Sequence, residues 1–470
     1  MERRPHVVII GGGFGGLAAA RALAKVPVNV TLLDRRNHHL FQPLLYQVAT
    51  AALNPSEIAY PIRAVLAHQE NARVLLASAT SIDVATRTVT LDSGELHYDY
   101  LIVATGATHS YFGKEWSNLA PGLKSVEDAL EIRRRIFLAY EAAEREADPA
   151  EQAAWLTFAV VGAGPTGVEL AGALGEIGLQ TLAHDFRSID PTRVKVVLFE
   201  GNDRILGAYP PKLSTAAQRS LEKRHVEVRL GARVTNIDAH GVTVDTGGRV
   251  ERVGARTVLW AAGVQASPLA KALGAPLDRA GRVEVQPDLS IPGHPDVFVI
   301  GDLAKMLNTD GTQVPGVAQG ALQGGKHVAG IIKEKVARGL DPTEAVKARP
   351  AFKYWDKGNM ATIGRASAIV ATKRVAIHGL FAWLMWWAVH ILFLVGFRNR
   401  LLVMFSWAWS WLTFKRGARL ITGSTGPLPT VKTIGADGTV VLPAAAERIT
   451  LDEDHVHRNE QSHPDARPSA

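Results

Sequence analysis

Two stretches of this chain repeat one pattern, in which an apolar strand runs into a glycine-rich turn and then into a helix. The first is HVVIIGGGFGGLAAARAL (His6–Leu23) and the second is LTFAVVGAGPTGVELAGAL (Leu156–Leu174). A strand, a tight glycine turn and a helix in this order make the phosphate-binding start of a Rossmann-like unit. The chain is therefore predicted to be an α/β protein with two Rossmann-like dinucleotide-binding domains.

The first turn has the spacing G-x-G-x-x-G. Its first glycine permits the tight turn, its second lets a pyrophosphate approach the backbone, and its third lets the helix pack on the strand. The helix N-terminus adds free N–H groups and a partial positive charge. An acid ends the next strand, where a carboxylate can accept both ribose hydroxyls, and the alternative is a glycine turn that holds no ligand. The residues expected to bind the first dinucleotide are Gly11, Gly13, Phe14, Gly15, Gly16 and Asp34.

The second turn repeats these features at Gly162, Gly164 and Gly167, and Glu200 repeats the acid at a longer spacing. A carboxylate at Glu200 would repel a 2′-phosphate, which favours NADH over NADPH. Arg204 follows closely and weakens that preference. The three glycines and Glu200 are expected to bind the second dinucleotide.

The order of the segments predicts that the second unit is inserted in the first. TVLWAAGVQASPL (Thr257–Leu269) echoes the earlier YDYLIVATGATHS (Tyr98–Ser110), and VFVIGDLA (Val297–Ala304) is predicted to be a strand that returns to the first unit. The predicted limits are 1–115 and 284–345 for the first domain, 116–283 for the inserted domain, 346–422 for a C-terminal membrane-associated α-helical segment and 423–470 for a disordered tail.

The composition excludes several kinds of catalytic site and indicates which partners the chain can bind. The chain has no cysteine, which excludes disulfides, thiolate metal sites and cysteine redox relays. Its 16 histidines show no metal-ligand spacing, so no metal is expected. A net charge of +7 suits an anionic partner, but no basic run dominates, and a membrane surface is therefore favoured over nucleic acid. No signal peptide is predicted, so the folded part is expected on the cytoplasmic side.

Two dinucleotide sites in one chain imply a relay of electrons. One dinucleotide is expected to stay bound and the other to exchange. A nicotinamide gives up a hydride, and a flavin can take it and pass electrons onward.

The landmarks GGGFGGL, FQPLLYQVAT, LIVATGAT, VVGAGPTGVELAG, LWAAG, GDLA, AQGALQ and DKGNMATIGR occur in this order. In their number and order the chain resembles the type II NADH:quinone oxidoreductases, from His6 to about Thr422. The resemblance implies non-covalent FAD in the first site, NADH as the donor in the second site, a membrane quinone as the acceptor, and no proton pumping.

The resemblance also implies roles for single residues. Asp302 is expected at the ribityl–phosphate part of the flavin, with a helix N-cap as the alternative. Ala318 and Gln319 begin AQGALQ and are expected at the flavin. Gln319 and Gln323 share one face of a helix and are expected to bind the quinone head group, although either amide could instead satisfy backbone. Glu169 is expected in the first turn of the second nucleotide helix, where it positions NADH against the flavin.

The stretch HHLFQPLLYQVAT (His38–Thr50) has too few charges for an exposed loop. It is predicted to run under the flavin, with Pro43, Leu44 and Gln47 near the ring. Its two histidines, His38 and the cofactor-binding candidate His39, suggest acid–base groups, but such histidines more often contact cofactor or backbone.

The segment His378–Phe414 holds six of the chain's ten tryptophans. Gly379–Phe397 is apolar over nearly the length of a membrane span, whereas Leu401–Phe414 is too short to span. Three basic clusters flank the runs: Lys373 and Arg374, Arg398 and Arg400, and Lys415, Arg416 and Arg419. A span would put the RNR between the runs on the far side, against the positive-inside tendency. Both runs are therefore predicted to lie in one leaflet, the alternatives being a single span over 379–397 and packing in a dimer or core.

Helical spacing places Trp383, Trp386, Trp387 and His390 on one face. Trp407, Trp411 and Phe414 share another. Tryptophan prefers the headgroup level of a bilayer, so both faces are expected to meet lipid.

Rival functions differ in what they require. Sulfide:quinone reductases and disulfide reductases need reactive cysteines and are excluded. A soluble ferredoxin or rubredoxin reductase would keep both nucleotide sites but would not need His378–Phe414. A non-enzymatic redox sensor that binds NADH is a further alternative, and the identity of the quinone and a homodimer are left open.

Overall fold

The computed structural model describes residues 3–344, 349–413, 416–423, 428, 433–434 and 440–441. The described helices are α1 (Phe14–Ala22), α2 (Leu45–Ala49), α3 (Pro55–Ile58), α4 (Ile62–Val65), α5 (Val126–Arg145), α6 (Pro149–Trp155), α7 (Pro165–Glu176), α8 (Pro211–Glu222), α9 (Ala318–Ala337), α10 (Leu380–Phe393) and α11 (Phe397–Thr413). Short 3₁₀ turns cover Gln42–Leu44, Pro191–Arg193, Pro268–Leu273 and Gly301–Leu303, and a π-helical turn covers Ile177–Thr181.

The strands in the described ranges alternate with these helices through most of the chain. They are β1 (His6–Ile10), β2 (Asn29–Asp34), β3 (His38–Leu40), β4 (Ala59–Pro61), β5 (Ala72–Leu76), β6 (Ala79–Asp83), β7 (Thr88–Leu91), β8 (Gly94–His97), β9 (Tyr100–Val103), β10 (Ala107–His109), β11 (Thr157–Val161), β12 (Lys195–Phe199), β13 (Val226–Arg229), β14 (Ala232–Asp238), β15 (Gly241–Thr246), β16 (Arg249–Gly254), β17 (Thr257–Trp260), β18 (Val264–Ala266), β19 (Val283–Glu284), β20 (Ser290–Ile291), β21 (His294–Val299), β22 (Ala304–Lys305), β23 (Asn359–Gly364), β24 (Ser367–Ala371), β25 (Ala376–Gly379), β26 (Thr433–Ile434) and β27 (Val440–Val441).

The first nucleotide-binding unit is built on a six-stranded sheet in the order β20-β21-β9-β1-β2-β5. All neighbouring strands are parallel except β20 and β21. Strand β21 comes from late in the chain and pairs with β9 in the register Val297 to Leu101. This pairing confirms that VFVIGDLA returns to the first unit. Apolar residues on both faces of β1 and β9 are buried, as expected for a parallel sheet covered by helices.

The second unit has a four-stranded parallel sheet in the order β13-β12-β11-β17. An antiparallel hairpin sheet, β14-β15-β16, packs beside it. The strands of the second unit lie between β9 and β21 in the chain. The α/β class and the insertion of the second unit in the first are therefore confirmed. The domain limits in residue numbers stay a prediction.

Helix α9 closes the first unit by lying against α1. The close approach depends on Gly325, because a side chain there would overlap the carbonyl oxygen of Gly15. The two helices that meet at the first glycine turn therefore come from opposite ends of the unit.

The C-terminal region comprises the sheet β23-β24-β25 and the helices α10 and α11. Within the described residues, no helix is long and apolar enough to cross a membrane. The apolar run Gly379–Phe397 is broken after Phe393, and Gly396 adopts φ +88° against the ring of Tyr60. The RNR sequence was expected between the two runs, but Arg398–Arg400 forms the first turn of α11.

The tryptophans of α10 face the protein, which corrects the expectation that they meet lipid. Trp386 and His390 are buried, and Trp383 and Trp387 pack partly buried against the core. The helical spacing correctly placed these residues on one face of α10. That face packs against the core, which was the alternative to contact with lipid. The outward face is instead formed by Leu380, Phe381, Leu384, Met385, Leu392 and Phe393.

Helix α11 is also attached through its inner side. Its Trp407 packs against the core, whereas Trp409 and Trp411 are exposed. Phe414 and Lys415, which were included in the predicted apolar run and in a basic cluster, lie outside the described residues, and so does most of the predicted tail from Gly423.

Candidate active site

Two cavities adjoin each other between the units and the C-terminal helices. The larger has a volume of about 830 Å³ and runs along the first glycine turn to the inner end of α7. The smaller, of about 110 Å³, lies under the tryptophans of α10 and α11. Tyr46 and Glu169 line both cavities. These two side chains therefore form the boundary between the two spaces.

The first glycine turn has the geometry that the motif predicts. Gly11 has φ +105°, and a side chain at Gly16 would overlap the carbonyl oxygen of Gly11. At Gly13 an added Cβ would meet no protein atom within 4 Å, so this position faces open space. The carboxylate of Asp34 accepts the backbone N–H groups of Gly12 at 2.6 Å and Arg36 at 2.8 Å. The acid thus fixes the turn while it lines the larger cavity.

The second glycine turn repeats this arrangement. Gly162 has φ +97°, and a side chain at Gly167 would overlap its carbonyl oxygen. Glu200 accepts the N–H groups of Ala163 at 2.8 Å and Asn202 at 2.9 Å. Unlike Asp34, neither Glu200 nor these glycines line the larger cavity. The second turn therefore lies outside this cavity, and Pro165, Thr166 and Glu169 of the following helix α7 line it.

The guanidinium of Arg204 makes its hydrogen bonds to backbone, and the preference for NADH over NADPH stays a prediction. The guanidinium donates to the carbonyl oxygens of Tyr209 and Gly207, at 3.2 and 2.7 Å. The side chain is thereby bound to its own loop, whereas Glu200 remains at the strand end.

The larger cavity fits a resident dinucleotide. Thr105 Oγ1 and His38 Nε2 are buried polar atoms that line it, and neither has a hydrogen-bond partner among the described residues. Buried polar groups are normally paired, so these two atoms indicate a polar ligand. The glycine turn at the N-terminus of α1 would supply a phosphate site for such a ligand.

Most of the predicted first-site residues line this cavity. Asp302 lies in the 3₁₀ turn Gly301–Leu303, where no side-chain cap is formed, so the N-cap alternative is not seen. The predicted residues that line the larger cavity are Gly11, Gly13, Phe14, Gly15, Asp34, Pro43, Glu169, Asp302 and Ala318.

The stretch after Asp34 is folded as strand, 3₁₀ turn and helix. Buried His39 donates through Nδ1 to the carbonyl oxygen of Gly12 at 3.0 Å, and burial lowers the pKa of its imidazole. The neutral imidazole of His39 therefore holds the glycine turn through this hydrogen bond. Leu44 was expected near the ring but is fully buried in the core, and Leu45 lines the larger cavity instead.

Gln47 lines the smaller cavity and joins two elements. Its Nε2 donates to the hydroxyl of Tyr46 at 2.8 Å, and its Oε1 accepts the indole N–H of Trp407 at 2.6 Å. Helix α11 is thereby connected to the side chain at the boundary of the cavities. Burial raises the pKa of the Tyr46 phenol well above its usual value, so Tyr46 remains a neutral hydrogen-bond donor.

The two glutamines of AQGALQ do not line either cavity. The amide of Gln323 donates to the carbonyl oxygen of Trp355 at 3.0 Å and accepts its N–H at 2.9 Å. Gln323 thus satisfies backbone, which was the alternative to quinone binding. Gln319 is partly buried on the same helix, which begins at Ala318, and its binding role stays a prediction.

Glu169 is placed differently from the expectation. Helix α7 begins at Pro165, so Glu169 is its fifth residue and lies beyond the first turn. Burial raises the pKa of its carboxyl to about 8, and the N–H of Thr362 is a distant partner at 3.4 Å. The carboxyl is therefore largely protonated at neutral pH, and it can donate a proton between the cavities.

Sequence reasoning missed Arg416, which follows the tryptophan helices. Its buried guanidinium donates to the carbonyl oxygen of Thr50 at 2.7 Å and lies 3.5 Å from the carboxylate of Glu176, which Arg224 also contacts at 3.0 Å. Arg416 lines the smaller cavity. It had been grouped with surface lysine and arginine, and the sequence carries no signal of its burial.

Sequence comparisons place this geometry among known proteins. The family model for pyridine nucleotide-disulphide oxidoreductases matches residues 5–325. The chain is 48% identical over 430 residues to the type II NADH:quinone oxidoreductase Ndh of Mycobacterium tuberculosis, covering 89% of this chain and 91% of that protein. It is 30% identical to the type II NADH:quinone oxidoreductase of Staphylococcus haemolyticus, over 77% of this chain and 88% of that one.

Among solved structures, NDH2 from Plasmodium falciparum in complex with NADH has a similar fold. The TM-score is 0.79 at 18% identity, over 90% of this chain and all of that one. The sulfide:quinone oxidoreductase of Aquifex aeolicus is similar at a TM-score of 0.63 and 21% identity, over 84% of this chain and 92% of that one. At these identities the likeness concerns the fold.

Proposed function

The chain belongs to the pyridine nucleotide-disulphide oxidoreductase family and, within it, to the type II NADH:quinone oxidoreductases, and from that premise we propose how its two cavities divide the reaction. The enzyme oxidises NADH and reduces a quinone, with FAD as cofactor and without proton pumping. We assign FAD to the larger cavity, NADH to the second glycine turn, and the quinone head group to the smaller cavity.

On the donor side, protein groups bind and orient. When bound, FAD accepts the hydride of NADH and passes two electrons to the quinone. The turn at Gly11–Gly16 and the carboxylate of Asp34 would hold its pyrophosphate and ribose, and Asp302 would face its middle part. Glu200 selects the unphosphorylated ribose of NADH, because a 2′-phosphate beside this carboxylate would be repelled.

On the acceptor side, protein groups provide an apolar pocket and a proton. Trp383, Trp386 and Trp407 line the smaller cavity and suit a flat aromatic head group. A quinone takes up two electrons and two protons as it becomes quinol. One proton derives from the hydride of NADH, and the protonated carboxyl of Glu169 can give the other, which water would return. The hydroxyl of Tyr46 can donate a hydrogen bond at the same boundary.

One observation carries this division: Tyr46 and Glu169 line both cavities. A group that contacts both spaces can act on an electron acceptor in one while a cofactor occupies the other. The smaller cavity alone would be a packing defect, and the larger alone would be a cofactor site.

A cavity-filling variant tests the acceptor pocket. Ala173 is buried and lines the smaller cavity, so Ala173→Leu should reduce its volume. We expect a quinone KM raised about tenfold, with flavin content and NADH oxidation by ferricyanide retained. Ala173→Gly, which opens the pocket, is the matched control. An unchanged quinone KM in a folded, flavin-loaded Ala173→Leu protein would reject the assignment.

We also propose that the outward face of α10 and α11 rests on the cytoplasmic leaflet of the membrane. This face is apolar and exposed, whereas the opposite face is packed against the protein. A quinone dissolved in lipid could then reach the smaller cavity directly. The exposed large apolar side chains of the two helices are Leu380, Phe381, Leu384, Met385, Leu392, Phe393, Phe397, Leu401, Phe405, Trp409, Trp411 and Leu412.

Point substitutions test this surface better than truncation, because deleting the helices would remove the buried Trp386 and Val403. The triple variant Phe381→Ser, Phe405→Ser, Trp409→Ser should lose binding to anionic vesicles and keep activity with a short-chain, water-soluble quinone. Leu76→Ser, an exposed change on the first sheet, is the control. Undiminished vesicle binding by the triple variant would contradict the proposal.

A further inference from the structure

A tight turn beside the second nucleotide site has an unusual composition. Phe112 and Gly113 have φ +52° and +79°, and the N–H of Lys114 donates to the carbonyl oxygen of Tyr111 at 3.0 Å. Two successive left-handed residues inside such a hydrogen bond make a type I′ turn. This turn normally takes Asn, Asp or Gly at its first central position. A bulky aromatic residue there is strained, and such strain is concentrated at functional sites.

The ring of Phe112 does not serve the core. Its side chain is 69% exposed and touches the buried Trp260 only edge-on, at 6.1 Å between ring centroids. Trp260 is already covered by Tyr111, stacked at 5.2 Å, and by Trp116 at 5.7 Å. Packing therefore gives no reason for an aromatic residue in this position.

The ring lies over Gly263. A Cβ at Gly263 would come within 2.8 Å of the ring, and the N–H of Ser110 donates to the Gly263 carbonyl oxygen at 3.1 Å. The absence of a side chain at Gly263 thus allows the ring to approach the backbone. The backbone hydrogen bonds from Ser110 to Gly263 and from Lys114 to Tyr111 lie on either side of Phe112 and hold it at this place.

Gly263 connects the ring to the second nucleotide site. It follows Ala261 and Ala262, whose backbone lies directly against Gly162 of the second glycine turn. Gly263 also lines the larger cavity. Phe112 therefore lies beside the backbone segment that joins the second glycine turn to that cavity, and it presents an exposed aromatic surface there.

We propose that Phe112 is a substrate-binding residue that packs against NADH between the second glycine turn and the larger cavity. The second turn lies outside the larger cavity, and a rigid aromatic ring beside it adds contact area with little loss of side-chain freedom. The turn keeps the ring at a fixed height, which is what its strained backbone achieves. The inference rests on the proposed placement of NADH.

The turn offers a variant that separates binding from stability. Phe112→Asn suits the type I′ turn, so its unfolding temperature should equal or exceed that of the unmodified enzyme. Removing an aromatic contact should weaken NAD⁺ binding to the flavin-loaded full-length enzyme and raise the KM for NADH, each roughly tenfold. The quinone KM should not change. Val250→Asn, at an exposed position on β16 of the same unit, is the control and should alter none of these values.

NAD⁺ binding is measured by titration calorimetry, and NADH KM by steady-state assay. Unchanged NAD⁺ affinity in the folded Phe112→Asn enzyme would overturn the inference while leaving the proposed function intact. An unmodified enzyme that binds FAD but neither binds NAD⁺ nor oxidises NADH would instead overturn the proposed function. A Phe112→Asn enzyme with both constants weakened and the same quinone KM supports the inference.

Discussion

The two glycine turns have almost the same internal geometry and opposite surroundings. In each, the acid at the end of the second strand accepts one N–H from the turn and another two residues beyond itself, as Asp34 does with Gly12 and Arg36. Glu200 does the same with Ala163 and Asn202. The first turn, however, forms the wall of a large cavity, whereas the second remains outside it.

This difference teaches that the motif determines what class of ligand binds, while the surrounding segments determine how long it stays. The first turn is covered by α9, which comes from late in the chain. The second lies against the backbone of Ala261 and Ala262. A resident cofactor needs enclosure, and a substrate needs an exit, so the same turn can serve both.

The largest effects are expected when a side chain is added to one glycine turn at a time, because each substitution should impair the binding of a different ligand. Gly13 and Gly164 both have negative φ, and an added Cβ at either meets no protein atom within 4 Å, so Gly13→Val and Gly164→Val should both fold. Gly13→Val should be purified without flavin. Gly164→Val should keep its flavin and show a kcat/KM for NADH about 100-fold lower. Flavin absorbance and steady-state rates distinguish them, and equal flavin loss in both would break the comparison.

The pH dependence of Glu169 tests the side chain that faces both cavities. Its folded pKa of about 8 lies above the 4.5 of the unfolded chain, so the enzyme loses stability as pH rises from about 4.5 to about 8. Glu169→Gln should remove this loss, which is on the order of 5 kcal/mol at pH 8.5 for a pKa raised from 4.5 to about 8. Denaturant unfolding at pH 5 and pH 8.5 measures it.

Activity should respond in the same pH range. If the protonated Glu169 supplies a proton, the quinone rate of the unmodified enzyme falls above about pH 8. The Glu169→Gln enzyme should be slower and should lack that inflection. A variant that keeps the inflection would show that another group titrates.

The two acids should affect different ligands when neutralised. Glu200→Gln removes the repulsion of a 2′-phosphate, and we expect the kcat/KM for NADPH to rise about tenfold relative to NADH. Flavin content should not change. Asp34→Asn is the reciprocal control, with weaker FAD binding and an unaltered nucleotide preference. A changed preference in Asp34→Asn, or none in Glu200→Gln, would contradict the assignment.

The smallest effect is expected from a change that touches neither turn. Trp407→Phe removes the indole hydrogen bond to Gln47 and costs about 1 kcal/mol, which corresponds to a quinone KM raised about fivefold. NADH KM and flavin content should remain as they are. Trp387→Phe is the control, because Trp387 lines neither cavity. An altered NADH KM would mean that the acceptor pocket is coupled to the second turn.

The sequence predicted the parts of the site that are local. Each glycine turn is specified by a few neighbouring residues, and its acid lies on the adjacent parallel strand, so spacing is sufficient. The return of β21 was also predictable, because a buried strand ending in GDLA echoes the first unit. The backbone role of His39 was one of two interpretations that the sequence allowed.

The sequence did not predict contacts between distant segments. Periodicity placed Trp386 and His390 on one face of α10 but gave no information on whether that face met lipid or protein. Gln323 was assigned to the quinone because nothing local indicated that Trp355 would take its amide. Arg416 gives no local sign that it crosses to Thr50, since a surface arginine and a buried one have the same neighbours in the chain.

The discontinuous sheet of the first unit sets an order in time. During synthesis β1 leaves the ribosome early. Strand β21 (His294–Val299), which is the second neighbour of β9, and helix α9, which covers the first turn, are synthesised much later. The inserted unit is contiguous from β11 to β17, and its sheet can form while the first is still missing a strand. The sheet of the inserted unit is therefore complete before the sheet of the first unit, and we expect a chain interrupted near residue 290 to form the inserted sheet but not to keep flavin.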